Sequence, residues 1–213
     1  MDRAAEIAQL GEAARAAFEE KHQAREITIG ASRQAIQRCA ASIRATHRRE
    51  YEQAETLAKE AREYVAQADE ALAGHPDVRS SGPLHDAKKE LAEAWLTLAL
   101  VRDDPLPTAA ELGIEIAPYC NGLAEAASEL RRQTLDLLRA GNLDEAEKLM
   151  GSMDEIYSLL VTIDYPDGVT GGLRRTTDAL RAVLERTRGD LTTAIVSARL
   201  QGAIESAREA TSD

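Results

Sequence analysis

Apolar and small residues recur at three- and four-residue spacing along most of the chain, a period that predicts helices and leaves little room for strands. Residues 3 to 47 read as one long helix whose only breakers are Gly11 and Gly30. A second helix is expected from about 49 to 73, followed by the loop stretch GHPDVRSSGP at 74 to 83. Pro83 sits where a third helix should start, because the first helical position has no amide bond to lose. Leu84, Ala87, Leu91, Trp95 and Leu98 form the apolar stripe of that helix, which should end near Arg102. Pro105 and Pro107 bracket a break, and PTAAELGI gives one short helix closed by Gly113.

A fifth helix is expected over roughly 116 to 140, with Tyr119, Leu123, Ala126, Leu130 and Leu137 on one side and Gly141 as its stop. Asn142 with Glu145 three residues later resembles a capping box for a sixth helix at 143 to 162. YPDG at 165 to 168 reads as a turn, and GVTGG at 168 to 172 as a turn rather than a phosphate loop, since it follows a helix and no strand. Leu173, Leu180, Leu184, Leu191 and Ile195 then define a seventh helix from about 170 to 207, the longest with the first. The expectation is an all-α, seven-helix bundle forming a single domain over 1–213, with no internal repeat or low-complexity segment.

Composition supports this and narrows the chemistry. The chain is 44% hydrophobic but only 3% aromatic, so strand formers are scarce. Cys39 and Cys120 stand alone on or near apolar stripes and read as core thiols, without a disulfide framework or a zinc motif. No apolar run approaches the ~18 residues of a membrane span, and no signal-type start is present, so a cytoplasmic protein without membrane contact is expected. His22, His47, His75 and His85 lack the context of a catalytic triad, and neither GxSxG nor GxxxxGK[ST] occurs.

The formal net charge of -11 argues against a generic nucleic-acid binder, but the charge is unevenly spread. Seven Lys or Arg residues lie from Lys21 to Arg49, with Glu26 the only acid among them. On a helical wheel Arg33, Gln37, Arg44 and Arg48 fall within about 60° of one another, beside the stripe of Ile29, Ile36 and Ile43. Such a stripe can track a phosphate backbone or simply pair with acids on neighbouring helices.

Two carboxylate pairs share helix faces: Glu90 with Glu93 at i, i+3, and Glu125 with Glu129 at i, i+4 beside Gly122. Both pairs point away from their leucine stripes, so solvated faces are the plain expectation. If the four converge, oxygen-only ligation with no His or Cys nearby favours Mg²⁺ or Mn²⁺ over zinc. The absence of Glu-x-x-His pairs argues against a di-iron bundle. A hard-cation site of this kind would hydrolyse a phosphodiester by activating water. Spacing alone does not choose between these readings.

In order and spacing, several segments resemble the translin and translin-associated factor X (Trax) family. REIT at 25 to 28, with Arg33, is similar to the family's basic first-helix segment, KKELAEA at 88 to 94 to the Trax motif LQEYxEA, and YCNGLAEAASELRR at 119 to 132 to YLLGVADLTGELMR. AGN at 140 to 142 fits the turn between the fifth and sixth helices, and LRRTTDALR at 173 to 181 resembles the start of the last one. The resemblance spans nearly the whole chain. It implies the seven-helix fold and an archaeal Trax-like, metal-dependent endoribonuclease. The implied metal-holding and catalytic positions are Glu90, Glu93, Glu125 and Glu129, with Glu125 where the family usually has Asp. Arg25, Arg33, Arg44 and Arg48 are the implied nucleic-acid contacts, on single-stranded RNA or single-stranded DNA. A closed homo-oligomer, an octamer in the family, is implied as well. The rival from the same family is a translin-like binding protein without catalysis; a helical interaction protein with merely solvated charges is a third.

Overall fold

The computed structural model describes residues 2–75 and 82–211, and most of the expected 74–83 loop lies outside them. Eight helices occur among the described residues: α1 (Arg3–His47), α2 (Tyr51–Ala71), α3 (Pro83–Arg102), α4 (Ala109–Leu112), α5 (Ile116–Arg139), α6 (Leu143–Leu160), α7 (Asp167–Thr170) and α8 (Leu173–Ala210). No strand occurs among them. The expected seven becomes eight because Asp167–Thr170, read as part of two turns, closes one helical turn before Gly171 and Gly172 take left-handed φ values of 63° and 87°. The first and last helices are the longest, at 45 and 38 residues.

The helix ends have local causes. Asp2 caps α1 by accepting from the Ala4 amide, and Pro83 opens α3. The capping box forms at Thr108 with Glu111, whereas Asn142 stands at the N-cap of α6 without a side-chain cap bond. Arg49 reverses the chain between α1 and α2 in the left-handed region at φ 64°.

Two apolar clusters share α5. The larger is built mainly from α1, α2, α3 and α5, with Leu84, Leu91, Leu96 and Leu123 among its side chains, and is closed by Ile156 and Leu160 of α6 and Leu173 and Leu180 of α8. The smaller joins α5 to α6 and α8 through Leu130, Leu137, Met150, Met153, Leu184 and Leu191. The α1–α2 seam is made of small residues, Ala31, Ala35 and Cys39 facing a register of Ala54, Ala58, Ala61 and Ala68. Hydroxyls tie it: Thr28 Oγ1 donates to the Ala68 carbonyl at 3.2 Å and Ser42 Oγ to the Ala54 carbonyl at 2.7 Å. At the other side, buried Asn121 donates to the Thr170 carbonyl at 2.7 Å and accepts from Thr176 at 2.7 Å, fixing α7 and the start of α8 on α5. Among the described residues no helix is long and apolar enough to cross a membrane.

Candidate active site

The site begins at a glycine. A Cβ on Gly122 would lie 2.6 Å from both the Ala92 Cβ and the Lys89 carbonyl oxygen, and 2.9 Å from the Glu93 nitrogen, so only glycine lets α5 rest directly on the backbone of α3. Glu125 and Glu129 follow Gly122 at i+3 and i+7 on the same face of α5. The contact therefore lays their face against the Lys89–Glu93 turn of α3.

As a result, ligand oxygens of Glu90, Glu93 and Glu125 lie within 4.8 Å of one another. These are not solvated faces. Glu93 is 9% exposed, and its carboxylate makes no hydrogen bond or ion pair among the described residues. Burial first, then the charges of Glu90, Glu125 and Glu129, push its carboxyl up to about 8. Glu90 is also raised, by burial, with the Lys89 charge opposing it.

Glu129 stands outside this trio. Its Oε2 lies 2.7 Å from Nε2 of His47, in the last turn of α1. Because an ionised carboxylate only accepts, the imidazole Nε2 donates. The ring is 3% exposed, and its Nδ1 is buried with no partner.

Lys89 completes the arrangement. Its Nζ lies 2.8 Å and 2.7 Å from the two Glu125 oxygens and 3.4 Å from Glu90. Burial lowers the ammonium, but the hydrogen bond and charge of Glu125, with Glu90 behind them, outweigh it and hold the group above its usual range.

The expectation of a site with no His or Cys nearby is corrected here. His47 bonds Glu129, and the thiol of buried Cys39 is pushed up by burial and by the charges of Glu90 and Glu93. Neither His47 nor Lys89 carried a signal in the sequence that joins it to the glutamates: one comes from another helix, and the other reaches across to Glu125 on another helix. Gly122 was visible beside Glu125, but nothing in the sequence says that another helix rests on it.

The basic residues of α1 divide into two kinds. Arg25 contacts Glu26 at 3.1 Å, and Arg48 donates to Glu50 through Nε at 2.9 Å and Nη2 at 2.6 Å. Arg33 and Arg44 are exposed and make no side-chain ion pair or hydrogen bond among the described residues. On the wheel both lie to one side of Ala40 and His47, within about 60° of the histidine, so the free guanidiniums border the helix face that reaches Glu129.

No family model matches the chain. An uncharacterized protein of Methanocaldococcus jannaschii is 32% identical over 183 residues, which cover 85% of this chain and 81% of that one. Among solved structures, AfC3PO in a complex with duplex RNA matches with a TM-score of 0.81 at 30% identity, over 87% of this chain and 96% of that chain. The crystal structure of AfC3PO gives 0.79 at 30% identity over 87% and 97%. Apo-NeC3PO, at 21% identity, shares the fold, with a TM-score of 0.74 over 87% and 96%. Placed on this helical frame at that identity and coverage, the chain belongs to the translin/Trax family, with C3PO as its solved counterpart.

Proposed function

We propose that the chain is a metal-dependent endoribonuclease that hydrolyses single-stranded RNA. The observation that carries this reading is the convergence of Glu90, Glu93 and Glu125 within 4.8 Å around a buried carboxylate that has no partner of its own. Like charges are not gathered at such a position for stability. An oxygen-only cluster with an uncompensated member fits a hard divalent cation. Glu90, Glu93 and Glu125 would hold the ion, with Glu129 joining from its place on the same face of α5. When bound, Mg²⁺ or Mn²⁺ supplies an activated water and neutralises charge on the scissile phosphate.

The remaining work falls to side chains of this protein. His47 fixes the rotamer of Glu129 by donating to its Oε2. Arg33 and Arg44 offer unpaired guanidiniums to the phosphates of a strand, while Arg25 and Arg48 must first exchange Glu26 and Glu50 for phosphate. RNA as the ligand is supported by AfC3PO, which forms a complex with duplex RNA. That complex also favours a second reading, in which duplex rather than single-stranded RNA is held. A homo-oligomer belongs to the proposal through the family.

The test is labelled single-stranded RNA, and a duplex of the same sequence, incubated with purified protein with and without Mg²⁺ or Mn²⁺. Cleavage of the single strand should require metal. Glu93→Gln and Glu129→Ala should each reduce it by a factor of about 100 or more while RNA binding stays close to wild type. Arg33→Gln with Arg44→Gln should weaken binding and flatten its salt dependence. Wild-type cleavage by both glutamate variants would remove the site; binding without cleavage under any metal would leave a translin-like binding protein.

A further inference from the structure

Lys89 is unusual because an ammonium lies inside the group of carboxylates proposed to hold a cation. An ammonium has three N–H donors, and those of Lys89 face the two Glu125 oxygens at 2.8 Å and 2.7 Å and Glu90 at 3.4 Å. The lysine is only 22% exposed, so this is a built contact and not a surface side chain swinging past. Both oxygens of Glu125 are thereby engaged, and one oxygen of Glu129 is engaged by His47. Glu93, buried and unpartnered, remains as the free acceptor, with the rest of Glu90 beside it.

We infer that the Lys89 ammonium stands in for a second divalent cation, so that the cleft takes a single Mg²⁺ or Mn²⁺ ion, seated toward Glu93 and Glu90. This rests on the metal-dependent reading above and goes beyond it in fixing the number of ions. Two-metal sites place their ions about 3.5–4 Å apart, each sharing carboxylates with the other. Here the lysine nitrogen already shares Glu125 and Glu90, the carboxylates a second ion would need. Charge agrees. Once Glu93 gives up its proton to the ion, four carboxylates carry four negative charges, the ammonium offsets one and a single divalent ion two more. A second divalent ion would have to displace Lys89 from Glu125 or leave the cleft positive beside a half-buried ammonium. The first ion has no such competition at Glu93.

The experiment counts ions and does not depend on turnover. Full-length, metal-stripped protein is titrated with Mn²⁺ and free Mn²⁺ is followed by electron paramagnetic resonance, for wild type, Lys89→Arg, Lys89→Gln and Glu93→Gln. Wild type and Lys89→Arg should bind one ion per chain, and Lys89→Gln should bind two. Glu93→Gln should lose the tight ion. The wild-type count is informative even if a lysine variant folds poorly: two ions there overturn the inference. One ion in a folded Lys89→Gln overturns it too, while leaving the metal site itself intact. No Mn²⁺ bound by any form would instead bring down the metal reading and this inference with it.

Discussion

Glu93 is a carboxylate that the folded protein prefers to keep protonated, and this has a sign that can be worked out. Its carboxyl is pushed up to about 8 by burial and by its acidic neighbours, against about 4.3 in an unfolded chain. Between those values the folded state holds a proton that the unfolded state has released, so the Glu93 contribution to metal-free stability falls as pH rises from about 5 to about 8. Glu115 and Glu55, whose carboxyls are held low by Lys88 and Lys59 against the opposing effect of burial, act at more acidic pH and with the opposite sign. Glu93→Gln should therefore flatten the decline and, at pH 8 without metal, raise stability by on the order of 2 kcal/mol. Urea midpoints for both proteins at pH 5.5 and 8, with EDTA present, provide the measurement. Equal slopes would show that Glu93 is not the group responsible. A substitution that stabilises the protein and removes cleavage is the signature of a residue kept for chemistry.

At the scale of the helices, the α3–α5 crossing decides whether the glutamates meet. Gly122→Ala would drive a methyl group to within 2.6 Å of Ala92 Cβ and the Lys89 carbonyl, where backbone cannot yield cheaply. The helices must separate, and a loss of about 1–3 kcal/mol is expected, as for overpacked cores. Cleavage should fall further than stability does, because Lys89 and Glu93 lie at the point of contact. Denaturant unfolding read beside the cleavage rate checks this; a variant with wild-type values for both would show that the crossing has slack.

The same crossing marks the limit of what the sequence reveals. Helix boundaries were legible where a local breaker imposes them: Pro83, Gly113 and Gly141 stand where the helices begin or end. The single turn Asp167–Thr170 was not legible, since four residues are too short to show a period. Asn142 and Glu145 have the spacing of a capping box without the bond, so a motif can be present and unused. The spacings of Glu90 with Glu93 and of Glu125 with Glu129 were visible, but whether two faces on different helices converge depends on tertiary packing. The resemblance to Trax supplied that step. His47 and Lys89 escaped because their meaning arises only from a partner on another helix, at 82 and 36 residues' separation.

At the scale of the whole molecule, large apolar side chains are exposed at the ends of the two longest helices. Ile7, Leu10 and Phe18 lie along the first turns of α1, and Val196, Leu200 and Ile204 along the last turns of α8. Monomers rarely leave such stripes uncovered. Together with the closed assembly that the resemblance implies, this leads us to expect a stable oligomer. Light scattering at micromolar protein should give a multiple of 23.1 kDa; a single-chain mass under folding conditions would refute it.

The scarcity of aromatic residues looks different once the α1–α2 seam is considered. Ala35, Ala45, Ala54, Ala58, Ala61 and Ala68 are fully buried there. An alanine has no rotamers to lose when it is enclosed, whereas ordering a long side chain costs up to about 2 kcal/mol of conformational entropy. The seam thus gains its dispersion contacts from backbones brought close together, with little freedom surrendered by the side chains. A low aromatic content is consequently no deficit in this half of the bundle: it is the composition of an interior that is ordered as soon as its helices are.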